Sequence, residues 1–312
     1  MKAARERVTP HIHRTPAVSS NTLSERFGTN VYLKLELFQK TGSFKPRGSF
    51  NQLLSLTDAE RERGVVGVSG GNFAQGMAYA AGVLGVACTI TMPEGAPASS
   101  IAATKGYGAE VVMAPDVQKA FDLVDELAAE GRTPVHPFDN EAMIAGNAGL
   151  GLELIEDVPD LTDVFISVGG GGFITGVTSA VDAHLPEARI WAVETAGADV
   201  LHRSLEAGEP VTMKPTSLAK TLSSPYLTEF AWNIRDRFAD SIVVSDAEAF
   251  TAVRFLMERA KVFPELAAAA TLAALESRQA QFGQEDVVVL VLCGGNISVP
   301  DVVQYESLFT QA

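Results

Sequence analysis

The sequence has little of what marks secreted or membrane-spanning proteins. Among its 312 residues only Cys88 and Cys293 are cysteines, too few for a disulfide framework, and both lie in apolar runs typical of buried strands. No stretch approaches the roughly 18 uninterrupted apolar residues of a membrane-spanning helix. The N-terminal segment lacks the apolar core of a signal peptide. We therefore expect a cytoplasmic protein in a reducing setting.

Positive charge is also scarce. The chain has 24 Lys and Arg against 38 Asp and Glu, which is a formal net charge of -14. So acidic a chain offers no basic surface for nucleic acid or for an anionic membrane, and we expect neither as a partner. An anionic small molecule would need a local binding site that attracts negative charge.

What the chain does contain is a regular alternation of strand and helix patterns. Long Ala-, Leu- and Glu-rich segments with apolar residues three and four apart predict helices, for example over 72–85, 116–131 and 246–262. Between the helical segments, short runs rich in β-branched residues predict strands at 30–36, 64–69, 87–93, 109–114, 133–138, 163–171, 188–194, 240–246 and 286–295. This order is typical of parallel sheets covered by helices.

No linker rich in Pro, Gly or Ser divides the chain. We predict an α/β protein with two parallel-sheet domains: a small domain of residues 52–138, and a large domain of residues 1–51 together with 139–312. Ligands of open parallel sheets bind beyond the carboxyl ends of the strands, so the active site is expected in the cleft between the domains.

Three glycine-rich turns follow predicted strands: "VSGGNFAQG" (68–76), "SVGGGGFITG" (167–176) and "LCGGNIS" (292–298). Successive glycines let backbone N–H groups converge on an anion, and the next helix adds the positive end of its dipole. The turn at Gly169–Gly172 is therefore a candidate phosphate site, with a tight turn against a helix as the alternative. It is not a nucleotide-binding P-loop, because no lysine follows the glycines.

A single lysine, Lys45, lies in the apolar segment "TGSFKPRGSF" (41–50), between Phe44 and Pro46. Partial removal from water would lower its pKa and make a neutral amine available to a carbonyl group. A phosphate site and a desolvated lysine are the two devices that pyridoxal phosphate requires.

Six segments in a fixed order resemble the fold-type II pyridoxal-phosphate enzymes, whose fold is that of the tryptophan synthase β subunit. Within that family they are most similar to the threonine/serine dehydratases and serine racemase. The segments are "SFKPRGS" (43–49), "SGGNFAQG" (69–76), "HPFDNEAMIAGNAGLGLE" (136–153), "VGGGGFITG" (168–176), "FPELAAAATLAAL" (263–275) and "CGGN" (293–296).

The resemblance implies a role for each matching residue. Lys45 would form the Schiff base with pyridoxal 5'-phosphate, Phe44 would lie beside the ring, and Asn72 would bind the ring hydroxyl oxygen. Cys293 would face the pyridine nitrogen, where a neutral thiol makes the ring a modest electron sink and favours elimination. The phosphate would be held by Gly169, Gly170, Gly171, Gly172 and the amide of Phe173, and the substrate carboxylate by Ser69, Gly70, Gly71, Asn72 and Phe73.

Two further cofactor contacts are expected at Glu265 and Gly294. For Glu265 an alternative is open, since its carboxylate could instead bind the N-terminus of the helix that it precedes. His136 has two interpretations, a hydrogen-bonded structural histidine or a catalytic one, and the structural one is favoured.

Some positions depart from the family pattern. Gly70 stands where serine racemase has a second serine that protonates the opposite face, so elimination is favoured over racemisation. Phe73 replaces a common His, and "GNAGLG" (146–151) and "SLAKTLSS" (217–224) replace the usual segments next to cofactor and substrate. These changes allow a substrate bulkier than threonine or serine, or an acidic one.

A cation site is a further expectation, with a monovalent ion, a divalent ion or no metal as alternatives. Glu194 and the Ala198 carbonyl match the family's ligands, whereas Val200 stands where an Asp ligand would be.

The sequence thus predicts a pyridoxal-phosphate-dependent ammonia-lyase, a carbon–oxygen lyase that eliminates water from a β-hydroxy amino acid such as threonine, serine or a bulkier analogue. Three alternatives stay open: a β-replacement synthase of the cysteine synthase kind, a serine racemase, and a binding protein that has lost catalysis. We expect an amino acid as the small-molecule partner and a homodimer as the assembly.

Overall fold

The computed structural model describes residues 1–309 as a mixed α/β protein. Its ten strands in that range are β1 (Ala17–Ser19), β2 (Asn30–Leu35), β3 (Val65–Val68), β4 (Cys88–Pro93), β5 (Glu110–Ala114), β6 (Thr133–Pro134), β7 (Asp163–Ser167), β8 (Arg189–Thr195), β9 (Phe238–Val244) and β10 (Val287–Leu292).

The helices connect these strands. They are α1 (Lys2–Val8), α2 (Asn21–Phe27), α3 (Lys45–Leu54), α4 (Asp58–Arg63), α5 (Asn72–Leu84), α6 (Ala98–Gly106), α7 (Val117–Ala129), α8 (Glu141–Asp157), α9 (Gly172–Asp182), α10 (Val200–Ala207), α11 (Glu229–Asn233), α12 (Asp246–Phe255), α13 (Leu266–Ser277) and α14 (Val299–Phe309). Single 3-10 turns lie at Thr9–His11, Glu36–Phe38, Lys40–Gly42, Lys220–Leu222, Arg235–Arg237 and Gln279–Gln281, and a π-helical turn, Leu256–Ala260, extends α12. None of the helices within residues 1–309 combines the length and the apolar character needed to cross a bilayer.

The strands form two sheets. One has six strands in the order β1-β2-β10-β7-β8-β9, and the other has four in the order β5-β4-β3-β6. All neighbouring strands are parallel except β1 and β2, in which Ala17 lies opposite Lys34. Parallel strands are buried on both faces, which explains near-continuous apolar runs such as that of β10.

The predicted fold of two parallel sheets is confirmed, with two local differences. The antiparallel edge strand β1 was not predicted, because three residues are too short to show a period. The predicted strand 133–138 is only two residues long: the amides of Thr133 and Val135 bond to Gly64 and Val66, but Pro137, at the next donating position, has no N–H. Its remaining residues, His136 to Phe138, leave the sheet and approach the candidate site.

The fold brings the ends of strands from both sheets together. Lys45 is the first residue of α3, and Pro46 in its first turn has a backbone angle suited to a helix start. Asn72 begins α5 after β3, Gly169–Gly172 connect β7 to α9, and Cys293 follows β10. The predicted domain boundaries, between residues 51 and 52 and between 138 and 139, stay a prediction.

Candidate active site

The amine of Lys45 is enclosed by aromatic rings and backbone. Its Nζ donates to the Pro137 carbonyl oxygen at 3.3 Å and lies 4.9 Å from the centre of the Phe44 ring and 5.9 Å from that of Phe73. Burial lowers the pKa of Lys45 to about 8, although Cys293 and Glu265 act to raise it. A substantial fraction of this amine is therefore neutral near physiological pH, as a nucleophile or base requires.

The turn Gly169–Gly172 has no room for side chains. A Cβ on Gly170 would come 2.3 Å from the Phe138 ring, and one on Gly172 would come 2.2 Å from the Phe138 carbonyl oxygen. Gly171 has a φ of 96°, a conformation that other residues rarely adopt. The close approach of Phe138 thus accounts for Gly170 and Gly172, and the positive φ accounts for Gly171.

The same turn presents unpaired donors. Within residues 1–309, the amides of Gly169, Gly170 and Gly171 donate to no protein acceptor, and the amides of the first turn of α9 have none inside the helix. The carbonyl oxygen of Gly170, by contrast, accepts a hydrogen bond from Thr228 N at 2.9 Å. Converging amides at a helix N-terminus form a site for a phosphate group.

The turn at 69–73 has a similar character on the side of the four-stranded sheet. Ser69 Oγ accepts from Gly71 N at 3.2 Å, which fixes the turn immediately before α5. A Cβ on Gly70 would lie 3.1 Å from Ala96 Cβ, so a side chain there would be crowded. Phe73 is buried in the core, and it can therefore contribute to this turn only through its amide.

Asn72 belongs to a hydrogen-bonded group that joins the two sides of the cleft. Its Nδ2 donates to both carboxylate oxygens of Glu265, at 2.9 and 3.1 Å, and Thr221 Oγ1 donates to Oε1 at 3.0 Å. Asn296 Nδ2 donates to Asn72 Oδ1 at 2.7 Å. Burial raises the pKa of Glu265, while Asn72 and Thr221 act to lower it. The side chain of Glu265 makes no capping bond to α13, so its carboxylate faces the site and not the helix N-terminus.

Cys293 and Gly294 close the site beside α3. The carbonyl oxygen of Cys293 accepts from Phe44 N at 3.0 Å. Burial, and then the nearby Glu265, raise the pKa of the Cys293 thiol well above its usual range, so the thiol is neutral. A Cβ on Gly294 would lie 2.7 Å from Glu265 Oε1, which explains the glycine there. The Phe44 ring stacks on Phe173 with centres 3.8 Å apart.

Four residues at the site were not singled out from the sequence. Pro137 and Phe138 lie in a segment recognised only as a motif, and Asn296 is the last residue of "CGGN". Thr221 lies in the segment 217–224, which attracted notice as a departure from the family pattern. Their positions beside Lys45, Gly170 and Glu265 depend on contacts between distant parts of the chain.

Glu194, which was expected at a cation site, has other contacts. Both carboxylate oxygens of Glu194 accept backbone amides, from Leu201 and His202 at 2.8 Å each, at the start of α10. Burial raises the pKa of Glu194 to about 8. In the described part of the chain, no three His, Cys, Asp or Glu side chains are grouped so that they could hold a metal ion.

The other residues of the candidate site have the properties that pyridoxal phosphate requires. Free amides at the glycine turn suit the phosphate, and a lysine with a lowered pKa suits the cofactor's carbonyl group. A neutral, buried thiol suits the pyridine nitrogen.

Comparison with known proteins identifies relatives along nearly the whole chain. A family model described as "Pyridoxal-phosphate dependent enzyme" matches residues 8–294. The chain is 39% identical over 307 residues to the L-threonine ammonia-lyase of Thermotoga maritima, with 96% of this chain and 75% of that protein covered. It is 40% identical over 296 residues to the phenylserine dehydratase of Ralstonia pickettii, with 94% and 90% covered.

A solved structure agrees in fold. The structure of maize serine racemase superimposes with a TM-score of 0.92 at 31% identity, covering 99% of this chain and 96% of that one.

Proposed function

This chain belongs to the pyridoxal-phosphate-dependent enzyme family, and we propose that it is an ammonia-lyase that eliminates water from a β-hydroxy amino acid and yields a 2-oxo acid and ammonia. The family match confirms the resemblance and the cofactor predicted from the sequence. The proposal is carried by Lys45, whose buried amine has a lowered pKa and donates to the Pro137 carbonyl oxygen at 3.3 Å. The next residue, Phe138, packs on Gly170 of one glycine turn, and the centre of the Phe73 ring in the other turn lies 5.9 Å from the amine. It is supported by relatives that are themselves named as an ammonia-lyase and a dehydratase.

Each group has a task in that reaction. Pyridoxal phosphate, when bound, supplies an electron sink for the bond that breaks at the substrate Cα. The amides of Gly169–Phe173 would hold its phosphate, and the turn 69–73 would bind the substrate carboxylate. The neutral amine of Lys45 then takes the Cα proton as general base. The neutral Cys293 thiol offers the ring nitrogen no strong acid, a condition that favours loss of the β-hydroxyl over a long-lived carbanion.

The residue at position 70 distinguishes an eliminating enzyme from a racemase. Racemisation needs a second acid–base group on the face opposite Lys45, and Gly70 has none. Ala96 leaves little space for a side chain at that position. We therefore propose elimination as the main reaction, with serine racemisation and β-replacement as the alternative activities.

A substrate screen tests the proposal. Threonine, serine, phenylserine and 3-hydroxyaspartate are supplied to the holoenzyme, and ammonia and 2-oxo acid are measured together. We expect equal amounts of both products from at least one substrate, with racemised amino acid as a minor product. Absence of ammonia from all four would overturn the proposal, and rapid racemisation without ammonia would favour the racemase.

The pH dependence of turnover reports on Lys45. As base, its amine must be neutral, so the fraction able to react falls about tenfold for each pH unit below its pKa. Because that pKa is about 8, we expect kcat to rise with pH and level off just above 8. A profile of kcat against pH measures the pH at which this rise ends. A rise that continues to a pH near 10.5, the ordinary pKa of lysine, would contradict the inferred effect of burial on this pKa.

The homodimer, the cytoplasmic location and the bound cation stay predictions.

A further inference from the structure

Four side chains form a group that spans the cleft beside Lys45: His136, Phe138, Asp139 and Tyr226, here called the cross-cleft cluster. Lys45 Nζ donates to the carbonyl oxygen of Pro137, which lies between the first two of them. The Phe138 ring packs against the glycine turn at Gly170. The cluster therefore borders both the reactive amine and the candidate phosphate site.

The hydrogen-bonding atoms of the cluster satisfy one another. His136 Nδ1 accepts from Asp139 N at 2.8 Å, so we assign its proton to Nε2, which donates to the Tyr226 hydroxyl at 3.2 Å. That hydroxyl donates to Asp139 Oδ2 at 3.3 Å. Burial lowers the pKa of His136 and raises that of Tyr226 to about 12, so both rings are neutral.

What the cluster offers a ligand is therefore the surface of aromatic rings. The His136 and Phe138 rings are perpendicular with centres 4.8 Å apart, and the Phe138 and Tyr226 centres are 5.5 Å apart. Tyr226 itself is half-buried. Aromatic groups pair favourably in such offset and edge-to-face arrangements.

The charges around the cluster disfavour an acidic ligand. Its carboxylate, Asp139, is an anion, and no Lys or Arg within residues 1–309 hydrogen-bonds or ion-pairs with any of the four side chains. Lys220, which precedes Tyr226 in the same segment, is exposed, and its amine donates to the Ser217 carbonyl oxygen. A second carboxylate on the substrate would meet repulsion from Asp139, and the bordering amine of Lys45 is already assigned to the cofactor and to the Cα proton.

The cluster lies close to the position expected for the substrate Cα. The substrate carboxylate is assigned to the turn 69–73, and its amine is directed to the cofactor between Phe44, Cys293 and Gly169–Gly172. Because Lys45 takes the Cα proton, Cα lies next to its amine, and Cβ, which is bonded to Cα, lies within reach of the segment whose Pro137 carbonyl oxygen is 3.3 Å from Nζ.

We propose that the cross-cleft cluster receives the Cβ substituent and selects an aromatic β-hydroxy amino acid, such as phenylserine, over an acidic one, with Tyr226 as the specificity-determining residue. This inference rests on the proposed elimination reaction. It assigns a function to Tyr226 that its sequence context did not indicate.

The test compares kcat/KM for phenylserine, threonine and 3-hydroxyaspartate in the wild-type holoenzyme and in three variants. We expect the wild type to prefer phenylserine to 3-hydroxyaspartate by roughly 100-fold or more. Tyr226→Leu, which removes the ring and keeps an apolar side chain, should lower kcat/KM for phenylserine roughly tenfold, mainly through KM. The same variant should leave threonine within about threefold.

Two matched variants separate ring from charge. Tyr226→Phe keeps the ring and should retain the aromatic preference. Asp139→Asn removes the anion and should raise the relative rate with 3-hydroxyaspartate several-fold. A wild type that prefers 3-hydroxyaspartate, or a Tyr226→Leu variant that loses activity equally with every substrate, would overturn the inference.

A binding measurement distinguishes failure of this inference from failure of the proposed function. L-Phenylalanine and L-aspartate lack the leaving hydroxyl, so their binding is followed by the change in cofactor absorption. Tighter binding of L-phenylalanine that weakens in Tyr226→Leu supports the cluster's role even if no substrate releases ammonia. Ammonia release combined with equal binding of both ligands would leave the elimination intact and refute the selectivity.

Discussion

Replacement of Lys45 by alanine is expected to lower kcat/KM at least about 1,000-fold, because one amine is both the group that joins the cofactor and the base at Cα. The visible absorption of the bound cofactor should also change, since within residues 1–309 Lys45 is the lysine whose amine lies against the Phe44 ring and the Pro137 carbonyl oxygen. Ammonia release and an absorption spectrum of the purified variant measure the two effects.

The control for Lys45→Ala is Lys119→Ala. Lys119 is an exposed lysine on α7 that pairs with Asp122 and Glu126 at 3.5 Å, neither of which belongs to the site. Its replacement should leave both activity and spectrum unchanged. Unfolding curves for both variants exclude general loss of structure as the cause. A Lys45→Ala protein that keeps the wild-type spectrum and turnover would be incompatible with the assignment.

The second large effect is expected at Arg47, in the first turn of the helix that begins at Lys45. Its guanidinium is 1% exposed and makes four hydrogen bonds of 2.7–2.8 Å, two to Glu36 and two to Glu153. Lys34, also buried, donates to Glu153 at 2.7 Å. Burial acts to raise the pKa of Glu36, but Arg47, Thr15 and Lys34 outweigh it and lower that pKa.

Arg47→Met should lower the free energy of unfolding by about 3–5 kcal/mol, because it leaves a buried carboxylate without its partner. Urea denaturation followed by circular dichroism measures the change. The matched control is Arg14→Met: Arg14 is 48% exposed and pairs with Glu156 at 2.7 Å, so we expect about 1 kcal/mol or less. Equal losses in the two variants would contradict the role of burial.

A double variant identifies the cause of the loss. Glu36→Gln with Arg47→Met removes one charge of each sign and leaves Lys34 paired with Glu153. If the cost of Arg47→Met comes from an unpaired buried carboxylate, the double variant should be more stable than the single one. A double variant that is less stable than Arg47→Met would indicate that lost hydrogen bonds, and not the unpaired charge, dominate.

The fold was predictable wherever one segment carries its own signal. The apolar run of β10 and the helical period of α7 identify these elements without any partner. The short β1 carries no such signal, and β6 ends early because Pro137 has no N–H at the next donating position of its ladder. The first difference arises because a strand of three residues depends on its partner β2, and the second because a proline ends a run that otherwise has the pattern of a strand.

The candidate site follows the same rule. Lys45 and the four glycines from Gly169 could be identified from neighbouring residues alone. An apolar environment and a flexible turn are properties of adjacent residues in the sequence. Glu265 could not be assigned in that way, because its carboxylate meets Asn72, which is 193 residues away along the chain. The pattern of the helix start at Glu265 allowed two interpretations, and the fold decides between them.

The sequence alone therefore determined the alternation of strands and helices, the glycine turns, the reactive lysine and, through ordered motifs, the family and its cofactor. Only the tertiary structure decided that Arg47 lies in a buried ionic group, that Glu265 faces Asn72 and Thr221, and that Tyr226 reaches across the cleft to His136. The physical reason is that each of these contacts joins side chains from separate segments. Their burial, charge and hydrogen bonding exist only when the two sheets are packed together.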